Sequence, residues 1–312
     1  MIGKALHADA QRTGVDLDAF VSSALVTMYE KCGGLEEASN TFSELSKDHV
    51  APWNAMLSAC IERDEGHKVL ELYGQMQERG IEVTDTTLLY ALQACSKAGS
   101  LEICREIHYT LVAAGLESKM SLVNTFIHAY GFCASIADAH AVFNLMPTHD
   151  DVASWNTLIG GYAQQGNWAT SLLLYEKMKG TFVKPDGITF TYILTACCHG
   201  GLVEKGIDYL ESMSRDYSLS PEIGHYSIVL DLLGRAGDFV RVRDLLSSMP
   251  MHPNLAMWLG LLGACHMHGN VELARHAYNE AVHLQPKQAT AYVLVLNTYA
   301  DADPEVYEVA MD

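Results

Sequence analysis

The sequence predicts an all-α solenoid built from helix-turn-helix repeats. Three observations predict it: a short motif recurs about every 35 residues, apolar residues follow each recurrence at helical spacing, and a turn near a glycine divides each repeat in two. A single helical hairpin cannot bury its apolar face, so successive hairpins have to stack and share a continuous core.

The recurring motif is an aromatic or apolar residue followed, in most repeats, by a polar one. It is clearest in "HVAPWNAMLSACIERDE" from residue 49 and "DVASWNTLIGGYAQQGN" from residue 151. The motif starts at positions 53, 88, 123, 155, 190, 226 and 258, with intervals of 35, 35, 32, 35, 36 and 32 residues. The second halves of the repeats are also alike, as in "GSLEICREIHYTLVAAG" from residue 99 and "GNVELARHAYNEAV" from residue 269. This period predicts a unit of two helices.

Both halves of a repeat have the apolar spacing of a helix. In the first half of the repeat near residue 155, four residues at i, i+3, i+4 and i+7 share one face: Trp155, Leu158, Ile159 and Tyr162. A turn at residues 166–167 follows. A second apolar stripe then runs through Leu172, Tyr175 and Met178 until Pro185 breaks the helix. Each repeat is therefore predicted to be a helical hairpin.

Composition and motifs exclude several classes of protein. The chain has 312 residues, of which 49% are hydrophobic and 19% charged, as in a folded domain with a large core. No apolar run approaches the roughly 18 residues of a membrane span, so no membrane partner is expected. The start, "MIGKALHADAQRTG", has no visible signal or transit peptide. Walker, GxSxG, HExxH and zinc-deaminase motifs are lacking, so neither an enzyme nor a cofactor is predicted.

The eight cysteines are predicted to be packing residues. Metal binding is the alternative suggested by "CCH" at 197–199 and "CHMH" at 265–268. However, Cys60, Cys95, Cys197 and Cys265 all lie seven residues after the start of the motif, so the repeat itself accounts for them. Cysteine is small and is readily buried at helix contacts. Reduced thiols and no metal site are therefore expected, which indicates the interior of a cell or organelle.

The repeat at residues 152–186, "VASWNTLIGGYAQQGNWATSLLLYEKMKGTFVKPD", resembles a pentatricopeptide repeat. The alternating repeat lengths resemble the plant PLS subclass of long, short and standard units. The resemblance implies a right-handed superhelix in which a partial long unit at 1–18 precedes seven units, at 19–49, 50–84, 85–119, 120–151, 152–186, 187–222 and 223–254. Residues 255–312 are similar to the two C-terminal extension motifs, the second truncated, as in a fragment of a longer protein. Tetratricopeptide repeats are the alternative, which "SWN" and "LLGRAG" disfavour.

The resemblance implies that each unit reads one base of single-stranded RNA through two residues. These are the residue after the aromatic one in the first helix and the last residue of the unit. The pairs are Ser23 with His49, Asn54 with Thr84, Asn124 with Asp151, Asn156 with Asp186, Thr191 with Glu222, and Ser227 with Asn254; Leu89 with Lys119 lacks an amide or hydroxyl at the first position. The alternative role for the first members is helix capping.

The family's base preferences extend this expectation. Asn with Asp resembles a uridine pair and Ser with Asn an adenosine pair. The units ending at 151, 186, 222 and 254 are therefore expected to read uridine, uridine, an unassigned base and adenosine. The family's second position, typically a valine that sandwiches the base, is Ala153 and Gly224 in two units.

Charge leaves two functions open. The chain has 20 Lys and Arg against 38 Asp and Glu, a formal net charge of −18, and lacks the basic footprint usual in nucleic-acid binders. Exposed charges are screened over about 8 Å, so acids elsewhere need not block a neutral groove. The resemblance implies RNA recognition for C-to-U editing in a mitochondrion or chloroplast, with a deaminase or editing factor recruited through 255–312. The alternative is a helical-repeat protein scaffold, which acids lining the groove near Asn124, Asn156 and Ser227 would favour.

Overall fold

The computed structural model describes residues 2–32, 34–44, 49–113, 120–145 and 149–301. Within these ranges the chain forms eighteen α-helices and one 3₁₀ turn, at Val15–Leu17, and contains no β-strand. The even-numbered helices begin successive hairpins: α2 Ala19–Lys31, α4 Val50–Glu62, α6 Asp85–Ala98, α8 Met120–Phe132, α10 Val152–Gln164, α12 Gly187–Gly200, α14 Ile223–Arg235, α16 Leu255–His268 and α18 Ala289–Ala300. We call these the first helices.

The odd-numbered helices are the second helices of the hairpins. They are α1 Ile2–Thr13, α3 Leu35–Glu44, α5 Gly66–Glu78, α7 Leu101–Ala113, α9 Ile136–Asn144, α11 Trp168–Lys179, α13 Val203–Tyr217, α15 Phe239–Ser248 and α17 Val271–Leu284. Helix and turn therefore alternate along the described chain at the spacing that the apolar pattern predicts.

The chain divides into two compact halves, Met1–Thr157 and Leu158–Asp312. In the first half, consecutive first helices α2, α4, α6 and α8 pack on one another, and α3, α5 and α7 each fill the space between two first helices. In the second half, α12, α14, α16 and α18 form the same kind of layer, with α13 and α17 each packed against two of them. Each half therefore has one layer of first helices and one of second helices.

The aromatic residue of the motif joins neighbouring hairpins. Trp53 is fully buried and meets Phe42 of the preceding second helix edge-to-face, with ring centroids 4.9 Å apart. Trp155 meets Phe143 in the same way at 4.7 Å, and Phe190 occupies the equivalent buried position in α12. Such rings bury a large apolar area and gain further from edge-to-face contact. Truncating a buried ring of this kind to alanine typically costs about 3–5 kcal/mol.

A left-handed residue ends or closely follows each of the seven first helices from α4 to α16. It lies fourteen residues after the start of the helix, at Gly99, Gly166, Gly201, Gly237 and Gly269, with φ between 63° and 76°. Asp64 and Ala134 hold the equivalent positions with φ of 63° and 57°. Glycine adopts this conformation without the clash that a Cβ atom introduces. The turn geometry is thus kept even where the sequence offers no glycine.

The four cysteines at the shared repeat position are packing residues, as predicted. Cys60, Cys95, Cys197 and Cys265 are fully buried and have free thiols. Burial raises the pKa of Cys60 to about 11 and that of Cys265 to about 12, so these thiols stay protonated at neutral pH. Across the described ranges, no cluster of His, Cys, Asp and Glu side chains has an arrangement able to hold a metal ion. No helix in those ranges is long and apolar enough to cross a membrane.

Two basic side chains form hydrogen bonds between the carboxyl ends of neighbouring first helices. Lys97 Nζ donates to the carbonyl of Ile61 over 3.2 Å and pairs with Asp64 at 2.6 Å. Arg63 donates to the carbonyl of Glu30, also over 3.2 Å. The last carbonyls of a helix have no intrahelical partner, and cations are favourable at that end. These basic residues therefore contribute to hairpin stacking.

Candidate functional site

The predicted first members of the readout pairs are interior helix residues. Each is the fifth residue of its first helix: Ser23, Asn54, Asn124, Asn156, Thr191 and Ser227. An N-cap residue precedes the first helical residue, so the capping role considered for these residues is wrong. One of them is also buried, since Asn156 is only 5% exposed.

The second members of the pairs are the residues that cap helices. His49, Thr84, Asp186, Glu222 and Asn254 are the N-cap residues of α4, α6, α12, α14 and α16, and Asp151 immediately precedes α10. The side chains of four of them accept the backbone N–H of the third helical residue, over 2.8–3.4 Å: Thr84, Asp151, Asp186 and Asn254. Capping occupies one acceptor position of each side chain and fixes the orientation of its remaining polar atoms.

Asn54 and Thr84 are brought into direct contact in a closed hydrogen-bond ring. Asn54 Nδ2 donates to Thr84 Oγ1 over 3.1 Å, and the Thr84 hydroxyl lies 3.0 Å from that of Thr87. The Thr87 hydroxyl donates to Asn54 Oδ1 over 2.7 Å and closes the ring. Thr87 is fully buried, where paired polar groups polarise one another and are strengthened. The ring therefore fixes the orientation of the Asn54 amide.

Asn124 and Asp151 are linked through a serine. The buried hydroxyl of Ser154 lies 2.8 Å from Asp151 Oδ2 and 3.1 Å from Asn124 Oδ1. Asp151 also accepts the backbone N–H of Ser154 over 2.9 Å. The third residue of α10 thus connects the two predicted readout residues, as Thr87 does in α6.

In the pair Thr191 and Glu222, an imidazole takes the connecting position. His225 is 4% exposed; its Nδ1 accepts the backbone N–H of Glu222 over 3.0 Å. The other ring nitrogen, Nε2, lies 2.9 Å from the carbonyl of Gly187, to which it donates, and 3.2 Å from Thr191 Oγ1. The Glu222 side chain itself is exposed.

Two other pairs are not joined in this way. Among the described residues, no hydrogen bond links Ser23 to His49 or Ser227 to Asn254. Ser227 instead lines a cavity of about 430 Å³ together with Asp231 and Arg235. Asn156 and Asp186 lie in different halves of the chain. Lys119 lies outside the described residues.

The residues that connect the pairs are absent from the sequence prediction. They are the third residues of three first helices, Thr87, Ser154 and His225. The available signal was the capping spacing, a Thr or Asp followed three residues later by Ser or Thr, seen at Thr84, Asp151 and Asp186. His225 breaks that pattern, so no local signal identifies it.

The second residue of some first helices carries an exposed apolar side chain. Phe20 of α2 is 82% exposed and Ile188 of α12 is 56% exposed. Gly224 holds this position in α14, where a Cβ atom would meet open space. An exposed ring or branched side chain beside a hydrogen-bonding residue can contact the flat face of a base. The sequence prediction identified the position but not these two members of it.

Charge is distributed unevenly between the two layers. Of the 38 Asp and Glu residues, the first helices contain four: Glu30, Glu62, Asp85 and Asp231. Helices α8 and α10, which carry Asn124 and Asn156, contain no Asp, Glu, Lys or Arg. Asp231, one turn after Ser227, pairs with Arg235 at 2.9 Å. The first helices themselves are therefore close to neutral despite the net charge of −18, although the second members of the pairs add the carboxylates of Asp151, Asp186 and Glu222.

Comparisons with known proteins identify the repeats. Residues 150–199 match the PPR repeat family, and residues 51–81, 188–217 and 224–252 match the PPR repeat. A pentatricopeptide repeat-containing protein of Arabidopsis thaliana, named as mitochondrial, is 35% identical over 301 residues, covering 96% of this chain and 48% of the relative. The chloroplastic protein CRR2 of the same plant is 34% identical, with coverage of 97% and 46%. The chain thus spans about half the length of these relatives.

A solved structure confirms the fold class. The pentatricopeptide repeat protein PPR10, crystallised in complex with an 18-nt psaJ RNA element, superposes with a TM-score of 0.78 at 17% identity. The match covers 95% of this chain and 45% of PPR10. The all-α repeat solenoid predicted from the sequence is therefore the fold of this chain.

Proposed function

Because this chain belongs to the pentatricopeptide repeat family, we propose that it binds single-stranded RNA in a sequence-specific manner. The observation that carries the proposal is the repeated connection of a fifth-residue side chain to the cap of the next first helix. It occurs at Asn54, Asn124 and Thr191, each time within the nearly neutral layer of first helices.

The hydrogen-bond ring around Asn54 supports base recognition in chemical terms. A side-chain amide has two donor hydrogens and two acceptor lone pairs. Thr84 takes one hydrogen and Thr87 takes one lone pair, so one donor and one acceptor remain for a base edge. Because the ring already holds the amide in place, binding loses less side-chain entropy than it would with a mobile amide.

The proposed readout residues are the twelve residues of the six pairs. Following the family's preferences, Asn124 with Asp151 and Asn156 with Asp186 read uridine, and Ser227 with Asn254 reads adenosine. Thr191 with Glu222 has no assigned base, and neither have the two pairs nearest the N-terminus. The unit boundaries of the PLS pattern are part of the same proposal.

The wider role that we propose is recognition of an organellar transcript for C-to-U editing. The relatives' names include mitochondrial and chloroplastic proteins, and residues 255–312 resemble extension motifs. In this role the chain holds the RNA, and a deaminase-bearing protein or editing factor that contacts 255–312 supplies the chemistry. The chain's sequence contains no His-x-Glu with Pro-Cys-x-x-Cys, so the purified chain with zinc is expected to leave cytidine unchanged.

A protein scaffold is the second candidate function. The observation that favours it is the net charge of −18, which opposes the approach of a polyanion at low salt. The second helices carry most of the helical acids, as in α13, which contains Glu204, Asp208, Glu211 and Asp216. A basic partner protein would be attracted to such a surface.

Selection from a random single-stranded RNA pool distinguishes the two functions. We expect the purified chain to enrich RNAs that contain uridine, uridine, any base and adenosine in consecutive positions. A control variant with Asn124, Asn156 and Ser227 changed to alanine should stay helical by circular dichroism but lose that pattern. No enrichment by the unmodified chain, at low or physiological salt, would refute RNA binding and favour the scaffold.

A further inference from the structure

The fifth residue of each first helix begins a stripe that continues along the helix. Residues four and eight positions later lie on the same face, because the helix repeats every 3.6 residues. In α8 the stripe is Asn124, His128 and Phe132; in α6 it is Leu89, Gln93 and Lys97. Of these six residues, only Asn124 has a role in the proposed readout.

A cavity of about 530 Å³ lies between the later parts of these two stripes. Its lining consists of Gln93, Ser96 and Lys97 from α6 and of Thr125, His128 and Phe132 from α8. Phe132 is 73% exposed, whereas Tyr130 in the same helix is 1% exposed. An aromatic ring on the wall of an open, partly polar cavity has most of its surface available for stacking.

The polar lining of this cavity is close to electrically neutral. Lys97 is paired with Asp64 at 2.6 Å and donates to the Ile61 carbonyl, so its charge is already compensated. His128 Nδ1 lies 2.9 Å from the hydroxyl of Thr157, which holds the ring in place. Burial lowers the pKa of His128, so its imidazole is neutral at physiological pH. Such a lining favours an uncharged ligand over a phosphate.

We propose that this cavity is an additional nucleobase-binding site, in which one base of the strand stacks on Phe132 and is hydrogen-bonded by the Gln93 amide. The ligand class follows from the lining: a flat aromatic group meets the ring, and its polar edge meets an amide that both donates and accepts. The proposal rests on the RNA binding proposed above and deepens it.

The base in this cavity is a different one from the base at Asn124. Phe132 follows Asn124 by eight residues, which is about 12 Å along the helix axis at 1.5 Å per residue. A single base cannot stack on Phe132 and hydrogen-bond to Asn124 over that distance. The site therefore adds affinity that does not depend on the readout pair of the same helix, and it tolerates any base because stacking is insensitive to sequence.

The test uses four forms of the chain and an RNA selected by the unmodified protein. Phe132→Ala should weaken binding of that RNA roughly 5- to 150-fold, the usual effect of removing one base-stacking aromatic residue. Phe132→Trp should retain the affinity, and its added indole fluorescence should be quenched when RNA binds. Tyr109→Ala is the matched control, because Tyr109 is also a strongly exposed aromatic residue, at 77%, but lies in the second helix α7.

The outcomes separate this site from the function on which it rests. Equal binding by the unmodified chain and Phe132→Ala, or equal losses in Phe132→Ala and Tyr109→Ala, would overturn the site while RNA binding stands. Failure of the unmodified chain to bind any selected RNA would overturn RNA binding and the site with it. Thermal melts of all four proteins check that Phe132→Ala remains folded, as expected for an exposed residue at the end of a helix.

Discussion

The hydroxyl of Thr87 donates a 2.7 Å hydrogen bond to Asn54 Oδ1, across 33 positions of sequence. The same hydroxyl lies 3.0 Å from that of Thr84, the residue that caps the helix containing Thr87. One buried side chain therefore joins the start of one hairpin to the first helix of the previous hairpin. Its position has consequences both for stability and for the proposed base readout.

Replacing Thr87 by valine should loosen the Asn54 amide as well as destabilise the fold. Valine has the same shape as threonine but no hydroxyl. Asn54 Oδ1 therefore loses the hydroxyl that donates to it, and the backbone N–H of Thr84 loses its acceptor in the capping box. We expect a decrease of about 1–2 kcal/mol in the free energy of unfolding, measured with urea. Base discrimination at the position read by Asn54 should also fall. Thr87→Ser should preserve both properties.

The control for this change is Thr27→Val. The Thr27 hydroxyl donates only to the carbonyl of Ser23 within its own helix. Its loss should leave base discrimination elsewhere unchanged. If Thr87→Val lowers stability without altering discrimination at any position, the ring is structural only.

Converting the pair Ser227 and Asn254 should change the preferred base at a single position. Ser227→Asn combined with Asn254→Asp imitates the pair Asn156 and Asp186, so preference should shift from adenosine to uridine. The change should be worth on the order of 1–3 kcal/mol, by analogy with a wrong base pair in a protein–DNA site. Phosphate contacts are untouched, so the salt dependence should hardly change. Competition between RNAs that differ at one nucleotide measures the shift; an identical ranking by both proteins contradicts the readout.

Ala134→Gly should stabilise the chain. Ala134 has φ of 57° at a turn position where most equivalent residues are glycine. Relief of the Cβ clash, offset by the larger entropy that glycine loses on folding, should leave a gain of about 0.5–1 kcal/mol in the free energy of unfolding. Gly166→Ala, at the equivalent position with φ of 76°, should lower stability. An unfolding midpoint that moves the same way in both variants would show that backbone strain is not the cause.

His128 should make stability depend on pH. Burial lowers the pKa of His128 below its ordinary value near 6.5, although Asp151 opposes the shift. The unfolded chain therefore binds this proton more tightly than the folded chain does. The contribution of His128 to stability is present above pH 6.5 and is lost progressively as the pH falls from there through the folded pKa.

The variant His128→Gln isolates that contribution. Glutamine does not titrate, so urea unfolding of the variant between pH 5 and 7.5 should show a shallower loss of stability toward acid than the unmodified chain. The difference between the two curves, and not either curve alone, reports His128, since the chain has 14 histidines. Parallel curves would mean that His128 protonates equally well in both states.

Local sequence patterns were sufficient for the helices and for the positions of the candidate residues. Apolar spacing, turn residues and the motif near position 155 act within one or two helical turns, so they identify Trp155 as a core residue and Asn156 as its neighbour without knowledge of packing. The same spacing predicts the buried cysteines.

Local sequence patterns could not show which side chains form hydrogen bonds between neighbouring hairpins. The ring of Asn54, Thr84 and Thr87, and the imidazole of His225 in the corresponding place of another repeat, join residues about 30 positions apart. Nothing in the neighbourhood of either residue specifies the other. The capping role, considered as an alternative for the first members, belongs to the second members, because these directly precede the helix that they cap.

The sequence by itself determined the repeat period and the two helices of each repeat, because these properties are local. The tertiary structure alone decided which side chains meet between hairpins, that Ala134 adopts a left-handed conformation, and that Phe132 borders an open cavity beside His128. Contacts between hairpins depend on the relative placement of whole helices. That placement results from the packing of many side chains together and is not encoded near any one of them.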